Sequence, residues 1–274
     1  MSPAARTLDV NFRSRALPPG SARYWSHAFA APAARPALLG VYALTAEWQS
    51  LCSPVTEPSV AYLKLAWWQE EMSRLIAGSP LHPVSLYLAG LPQAAPPLFE
   101  PLLATLQAVQ WEAGGVPLER ADQLQAHASA LMGNPWRVAA RLAGEDGAKI
   151  SDVTSALAAA QYRSHAVRHY ALAARHGWVL FPVDELLADG IENAALTADS
   201  PAPALQAYLA RWRARALQDF AAATAALQTG GSRSRHLAVL SALGAAHLRR
   251  ESHTRPRPLK DMLLAWSAAR RVSS

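Results

Sequence analysis

Residues 35–48 read Arg-Pro-Ala-Leu-Leu-Gly-Val-Tyr-Ala-Leu-Thr-Ala-Glu-Trp, and residues 58–76 read Pro-Ser-Val-Ala-Tyr-Leu-Lys-Leu-Ala-Trp-Trp-Gln-Glu-Glu-Met-Ser-Arg-Leu-Ile. In the first, Leu38, Val41, Tyr42, Thr45 and Trp48 recur at three- and four-residue steps, which is one face of an α-helix. Pro54 ends it, because proline disfavours helical geometry at Ser53 and cannot donate a backbone N–H. In the second, Leu65, Trp68, Met72 and Leu75 share a stripe. Lys64, Trp67, Glu70, Glu71 and Arg74 lie on its other sides, with Glu70 and Arg74 spaced as a weak helix-stabilising pair.

The rest of the chain repeats this helical pattern. Ser21 caps a helix over residues 22–31 that Pro32 stops. A short helix follows near 82–91, and Pro96-Pro97 opens another carrying Phe99, Leu102, Leu106 and Val109. Pro117 starts a long segment to Ala143, which Pro135 is predicted to kink, freeing a carbonyl one turn earlier. From Ile150 a helix runs to about Arg175; Gly177 to Pro182 is extended, and Asp184–Asp189 is a short helix. Helices around Leu205–Phe220, Leu237–Arg250 and Pro258–Arg271 close the chain. Residues 1–20 read as a flexible tail and 21–272 as one domain. The expected fold is all-α, a single-domain bundle of about ten helices.

Composition supports this. Apolar residues make up 51% and charged ones 17%, which excludes disorder. Ala and Leu abound without alternating β-branched runs, favouring helix over sheet. The net charge of +6 is carried by arginine, the only lysines being Lys64, Lys149 and Lys260. Those arginines are scattered, with no basic helix interleaved with aromatics, so nucleic acid is not an expected partner. A lone cysteine, Cys52, excludes an intramolecular disulfide and a thiolate metal cluster. No apolar h-region follows the N-terminal arginines, and apolar runs of about 10 residues fall short of the roughly 18 that span a bilayer. The expected location is cytoplasmic, with peripheral membrane contact open. Leu259, Met262, Leu263 and Trp266 share a stripe on the last helix, which either packs on the bundle or lies on an anionic bilayer.

The stretch 35–83 resembles the squalene/phytoene synthase family. The likeness rests on Leu39-x-x-Tyr42-Ala43-Leu44 entered from Arg35-Pro36, then Glu57-Pro58, Lys64-Leu65-x-Trp67-Trp68-Gln69-Glu70, Gly78 and His82-Pro83. A second stretch agrees: Gly177-Trp178-Val179-Leu180-Phe181-Pro182, Asp184-Glu185-Leu186-Leu187 and Gly190-Ile191. The resemblance spans roughly residues 21–270 and implies an isoprenoid-synthase-like fold. It is closest to a branch that includes mitochondrial complex I assembly factors. Active members of the family carry two aspartate motifs that hold Mg²⁺ against diphosphate. By the resemblance, the first falls on Gln49, Ser50 and Ser53, the second on His169 and Ala173, with Arg168 on the family's arginine.

The placement of the carboxylates bears on these two motifs. Diphosphate departs only when divalent cations neutralise it, and hard Mg²⁺ needs carboxylates on facing helix faces. No aspartate lies between Asp9 and Asp122. The only pairs at helical spacing are Glu119/Asp122, Glu185/Asp189 and Asp189/Glu192, all near helix ends where dipole and surface roles suffice. No metal site is expected, and Mg²⁺ is implied only if the chain is an active transferase. Nucleophilic catalysis and a phosphate loop have no motif behind them.

Candidate ligand-binding residues are Tyr42, Gln49, Trp67, His165, Arg168, His169 and Arg175. The last four would form a positive patch where the diphosphate once sat. Trp25, Tyr42, Trp48, Trp67, Trp68, Tyr162 and Trp178 either line an apolar tunnel or pack the core. The expected function is a non-catalytic, isoprenoid- or lipid-binding or assembly-factor-like protein, with a protein partner open. The alternative is a working or repurposed prenyltransferase.

Overall fold

The structure, a computed structural model, describes residues 7–52, 57–145, 148–229, 234–250 and 257–272. Among these, regular structure is helical throughout: α1 (Val10–Ala16), α2 (Ala22–Phe29), α3 (Arg35–Gln49), α4 (Pro58–Ile76), α5 (Pro83–Ala89), α6 (Pro101–Ala113), α7 (Gln123–Ala128), α8 (Asn134–Leu142), α9 (Ala148–Arg175), α10 (Val183–Ala188), α11 (Pro203–Thr229), α12 (Arg235–Arg249) and α13 (Pro258–Arg271). The described residues form one all-α bundle, built on one main core with a small satellite under α13. Ser53 and Pro54, at the expected break after α3, lie outside the described residues.

Local chemistry sets the ends of these helices. Ser21 Oγ accepts the Tyr24 N–H at 3.1 Å and caps α2 as expected. Proline stands in the first turn of α3, α4, α5, α6 and α13, where its missing N–H costs nothing. The stripes of α3 and α4 are buried: Leu38, Val41, Trp48, Leu65 and Met72 are sealed, and the Trp48 and Trp68 rings meet edge to face at 5.9 Å. Glu70 and Arg74 pair at 2.9 Å.

Four expectations change. Within the stretch read as a tail, residues 10–16 form α1, capped by Asp9, and Ala16 and Leu17 are buried. The Arg15 guanidinium anchors it to Glu47 of α3 at 2.8 Å. Residues 117–122 are not helical, although Pro117 reads as a helix start. The Val183 N–H donates to the Leu118 carbonyl at 2.8 Å and the Asp184 N–H to that of Glu119 at 3.0 Å, so a distant segment claims this backbone. Glu71, placed by spacing outside the α4 stripe, is buried. Its carboxylate accepts the Leu81 and His82 N–H groups at 2.9 and 2.8 Å, clamping the turn into α5. On α13 the buried face is Asp261, Ala265, Ala268 and Ala269, while Leu259, Leu263 and Trp266 face solvent. Small side chains let α13 approach α12 closely, and the large ones cannot occupy that gap.

Pro135 acts as expected, with a sharper outcome. Between α7 and α8, Ser129–Gly133 forms a π-helical turn. In π geometry Pro135 would have donated to Ala130; lacking an N–H it cannot, and the Thr105 hydroxyl donates to the Ala130 carbonyl at 2.8 Å instead. The freed carbonyl is satisfied, and the widened turn aims Leu131 and Met132 into the bundle interior.

Candidate ligand cavity

A cavity of about 430 Å³ lies between α9 and the C-terminal end of α3, within the range of small-molecule sites. From α9 it takes Tyr162, His165, His169, Leu172 and Ala173, which recur at helical steps and so share one face. Across from them stand Gln49 and Cys52, with Glu112, Trp178 and Leu180 closing the sides. A second cavity of about 180 Å³ takes Tyr42, Thr45 and Gln49 from α3, Gln161 from α9 and Leu240 from α12. Both are lined by Arg23, Gln49, Leu131 and Met132, so the two spaces adjoin at the π-turn.

At this junction the Arg23 guanidinium donates to Gln49 Oε1 and lies over the Tyr42 ring, 5.9 Å from its centroid. No ion pair joins Arg23 to a carboxylate among the described residues. Burial pulls its pKa below the ordinary value, with Tyr42 opposing, yet a guanidinium keeps its proton in a protein. The Tyr42 hydroxyl is 2.9 Å from Ser26 Oγ, and its pKa is pushed up to about 12 by burial.

The histidines contribute less charge than their number implies. His165 and His169 are 4.7 Å apart between ring centroids. His165 opens onto the cavity yet is surrounded by protein, which lowers its pKa to about 4; His169 and Arg168 add to this and Glu112 opposes it. His169 is lowered too, by burial and then by Arg168. At neutral pH His165 is therefore uncharged. Among the described residues, the fixed positive charge lining the cavity is Arg23.

The other expected binding residues lie elsewhere. Arg168 is exposed on α9 and does not line the cavity. Arg175 is exposed and pairs with Asp199 at 3.3 Å. Trp67 is 41% exposed, its ring 5.8 Å from His82 and 5.2 Å from Trp68. The aromatic set divides: Trp48 and Trp68 are core, Tyr162 and Trp178 line the main cavity, and Tyr42 the second. Arg23 carries no sequence signal, since nothing in the spacing of α2 shows that it points at α3.

The squalene/phytoene synthase family profile matches residues 18–270. The chain belongs to this family. A search of curated proteins returns no match. Among solved structures, a dehydrosqualene synthase in complex with ligand is similar over 92% of each chain, at 12% identity and a TM-score of 0.72. The squalene synthase HpnC from Alicyclobacillus acidocaldarius is similar at 17% identity and a TM-score of 0.71, over 89% of this chain and 95% of that one. At these identities the likeness establishes the fold.

The squalene/phytoene synthase resemblance implies Mg²⁺, and the donor set can be tested against it. The residues brought together are Gln49, His165, His169 and Arg23, with one carboxylate, Glu112. Glu112 is already engaged by His127 Nε2 at 2.6 Å. Mg²⁺ takes hard oxygen ligands, largely carboxylates, and a guanidinium against Gln49 repels it. Three of the paired carboxylates are engaged elsewhere: Glu185 accepts from Trp212 Nε1 at 2.7 Å and Arg215 at 2.8 Å, Asp189 from Arg211, and Asp122 from Arg120 Nε at 3.0 Å. These residues do not fit Mg²⁺.

Proposed function

We propose that this chain is a non-catalytic member of its family that holds an isoprenoid or other lipid with an anionic head. The observation that carries this is the pairing of Arg23 with Gln49 at the junction of two adjoining cavities. A guanidinium hydrogen-bonded to a neutral amide, and paired with no carboxylate among the described residues, can grip a phosphate bidentately. Leu131, Met132, Leu172, Trp178 and Leu180 supply apolar wall for the chain. Binding of this kind needs no metal, because Arg23 supplies the charge that Mg²⁺ supplies in an active synthase. Catalysis is a different matter: ionising a diphosphate needs far more neutralisation than one cation gives.

The deciding experiment has two arms. Native mass spectrometry of the purified protein is expected to show a co-purifying lipid, or to show farnesyl diphosphate retained in EDTA. Incubation with farnesyl diphosphate and Mg²⁺ is expected to release no diphosphate above a no-enzyme control. EDTA-sensitive release would establish a working prenyltransferase and overturn the non-catalytic reading. Absence of any bound lipid, native or added, would overturn the ligand reading.

A further inference from the structure

Helix α13 turns its smallest side chains inward and its largest outward. Ala265, Ala268 and Ala269 seat against Val239 and Leu243 of α12. Leu259, Leu263 and Trp266 stand 72%, 58% and 48% exposed, on successive turns of the outer face. Single exposed apolar side chains are ordinary on a protein surface, whereas three aligned along one helix make a stripe.

Among the described residues of α13 the exposed charge has one sign. Asp261, the only carboxylate of α13, is buried, where it accepts from Arg250 at 2.6 Å and pairs with His247 at 3.1 Å. Lys260 and Arg270 are exposed, and so is Arg257 just before the helix. The Arg270 guanidinium lies over the Trp266 ring, 4.9 Å from its centroid. An aromatic ring at the edge of an apolar stripe, with cations beside it, matches the boundary between acyl chains and phosphates. A second copy of the chain fits poorly, since two faces of the same positive sign would meet.

We propose that α13 docks the protein on an anionic lipid surface. Leu259, Leu263 and Trp266 enter the head-group boundary, and Lys260 and Arg270 meet lipid phosphates. Through its inner alanine face α13 packs against α2, the helix that carries Arg23. The inference does not depend on what the cavity holds.

The test is co-sedimentation of the full chain with phosphatidylcholine vesicles, with and without phosphatidylglycerol. Binding is expected with the anionic vesicles alone, and to weaken as salt is added. Leu263→Glu and Trp266→Glu are each expected to reduce it by roughly tenfold or more, as is the double variant Lys260→Glu/Arg270→Glu. Leu63→Glu, on the exposed side of α4, is expected to leave it unchanged. These side chains are exposed, so circular dichroism and melting temperature are expected to match wild type. Failure of the wild type to bind, or binding indifferent to the α13 variants, would overturn the proposal. A concentration-dependent dimer that Leu263→Glu dissolves would assign the face to a second copy and overturn it equally.

Discussion

The Arg23 guanidinium of α2 donates to the Gln49 side-chain oxygen at the end of α3, and the two residues line both cavities. If Arg23 grips an anionic head, Arg23→Ala is expected to weaken farnesyl diphosphate binding in EDTA by roughly 10- to 100-fold, the worth of one charge-assisted bond. Gln49→Glu is expected to act in the same direction, because a carboxylate there neutralises the guanidinium. Arg168→Ala, outside the cavity, is expected to have no effect. Isothermal titration of the three variants checks this; equal loss in Arg168→Ala would place the anion on the flank of α9.

Core and cavity faces separate by stability. Trp68 is 5% exposed, with its ring 4.6 Å from His82 and 5.9 Å from Trp48, so Trp68→Ala is expected to cost about 3–5 kcal/mol. Gln49→Ala, at an open wall, is expected to stay within about 1 kcal/mol of wild type. Urea denaturation of both variants measures the difference, and equal midpoints would contradict the assignment of faces.

The π-turn depends on one hydroxyl. Thr105→Val strands the Ala130 carbonyl in the interior, with an expected loss of about 1–3 kcal/mol. Because Leu131 and Met132 hang from this turn, ligand affinity is expected to fall alongside the melting temperature. Stability loss with affinity intact would show that the turn does not shape the cavity.

Acid is expected to destabilise the fold from about pH 6.5 downward. His236 is fully buried, and desolvation lowers its pKa to about 4 from an ordinary 6.5; its Nε2 has no hydrogen-bond partner among the described residues. The unfolded chain therefore binds the proton first as pH falls. The stability of the neutral form is complete above the unfolded pKa and drains away between 6.5 and 4. His236 alone accounts for about 2 kcal/mol between pH 7 and pH 5. His165 and His169 act in the same direction. Comparing urea midpoints at the two pH values, His236→Leu is expected to flatten the dependence by that amount. An unchanged slope would locate the titration elsewhere.

Packing at Gly244 is close enough to forbid a methyl group. A Cβ there would stand 2.6 Å from the Phe220 ring and 2.8 Å from Gln161 Nε2, at the meeting of α9, α11 and α12. Gly244→Ala is expected to lower stability by about 1–3 kcal/mol through overpacking, read as a drop in melting temperature.

The sequence by itself determined the helices and the family. Apolar side chains at three- and four-residue steps, with proline and glycine at the ends, are short-range signals that survive without a partner. α3, α4 and α13 accordingly fall close to where the periodicity puts them, and the helical bundle follows. Of the seven expected binding residues, Gln49, His165 and His169 line the main cavity and Tyr42 the adjoining one, whereas Trp67, Arg168 and Arg175 line neither. Only the tertiary structure decided which cation sits there. Arg168 and Arg175 are neighbours of His169 in sequence, but the helical turn carries them off the cavity face, while Arg23 arrives from 26 residues before Gln49. Spacing along a chain reports which side chains share a helix face, not which second helix meets it. The same limit hid Glu71, whose bonds to Leu81 and His82 outweigh the cost of burying it, and inverted α13. There the apolar stripe was read correctly as a stripe, and close approach of α12 gave the inward place to alanine instead.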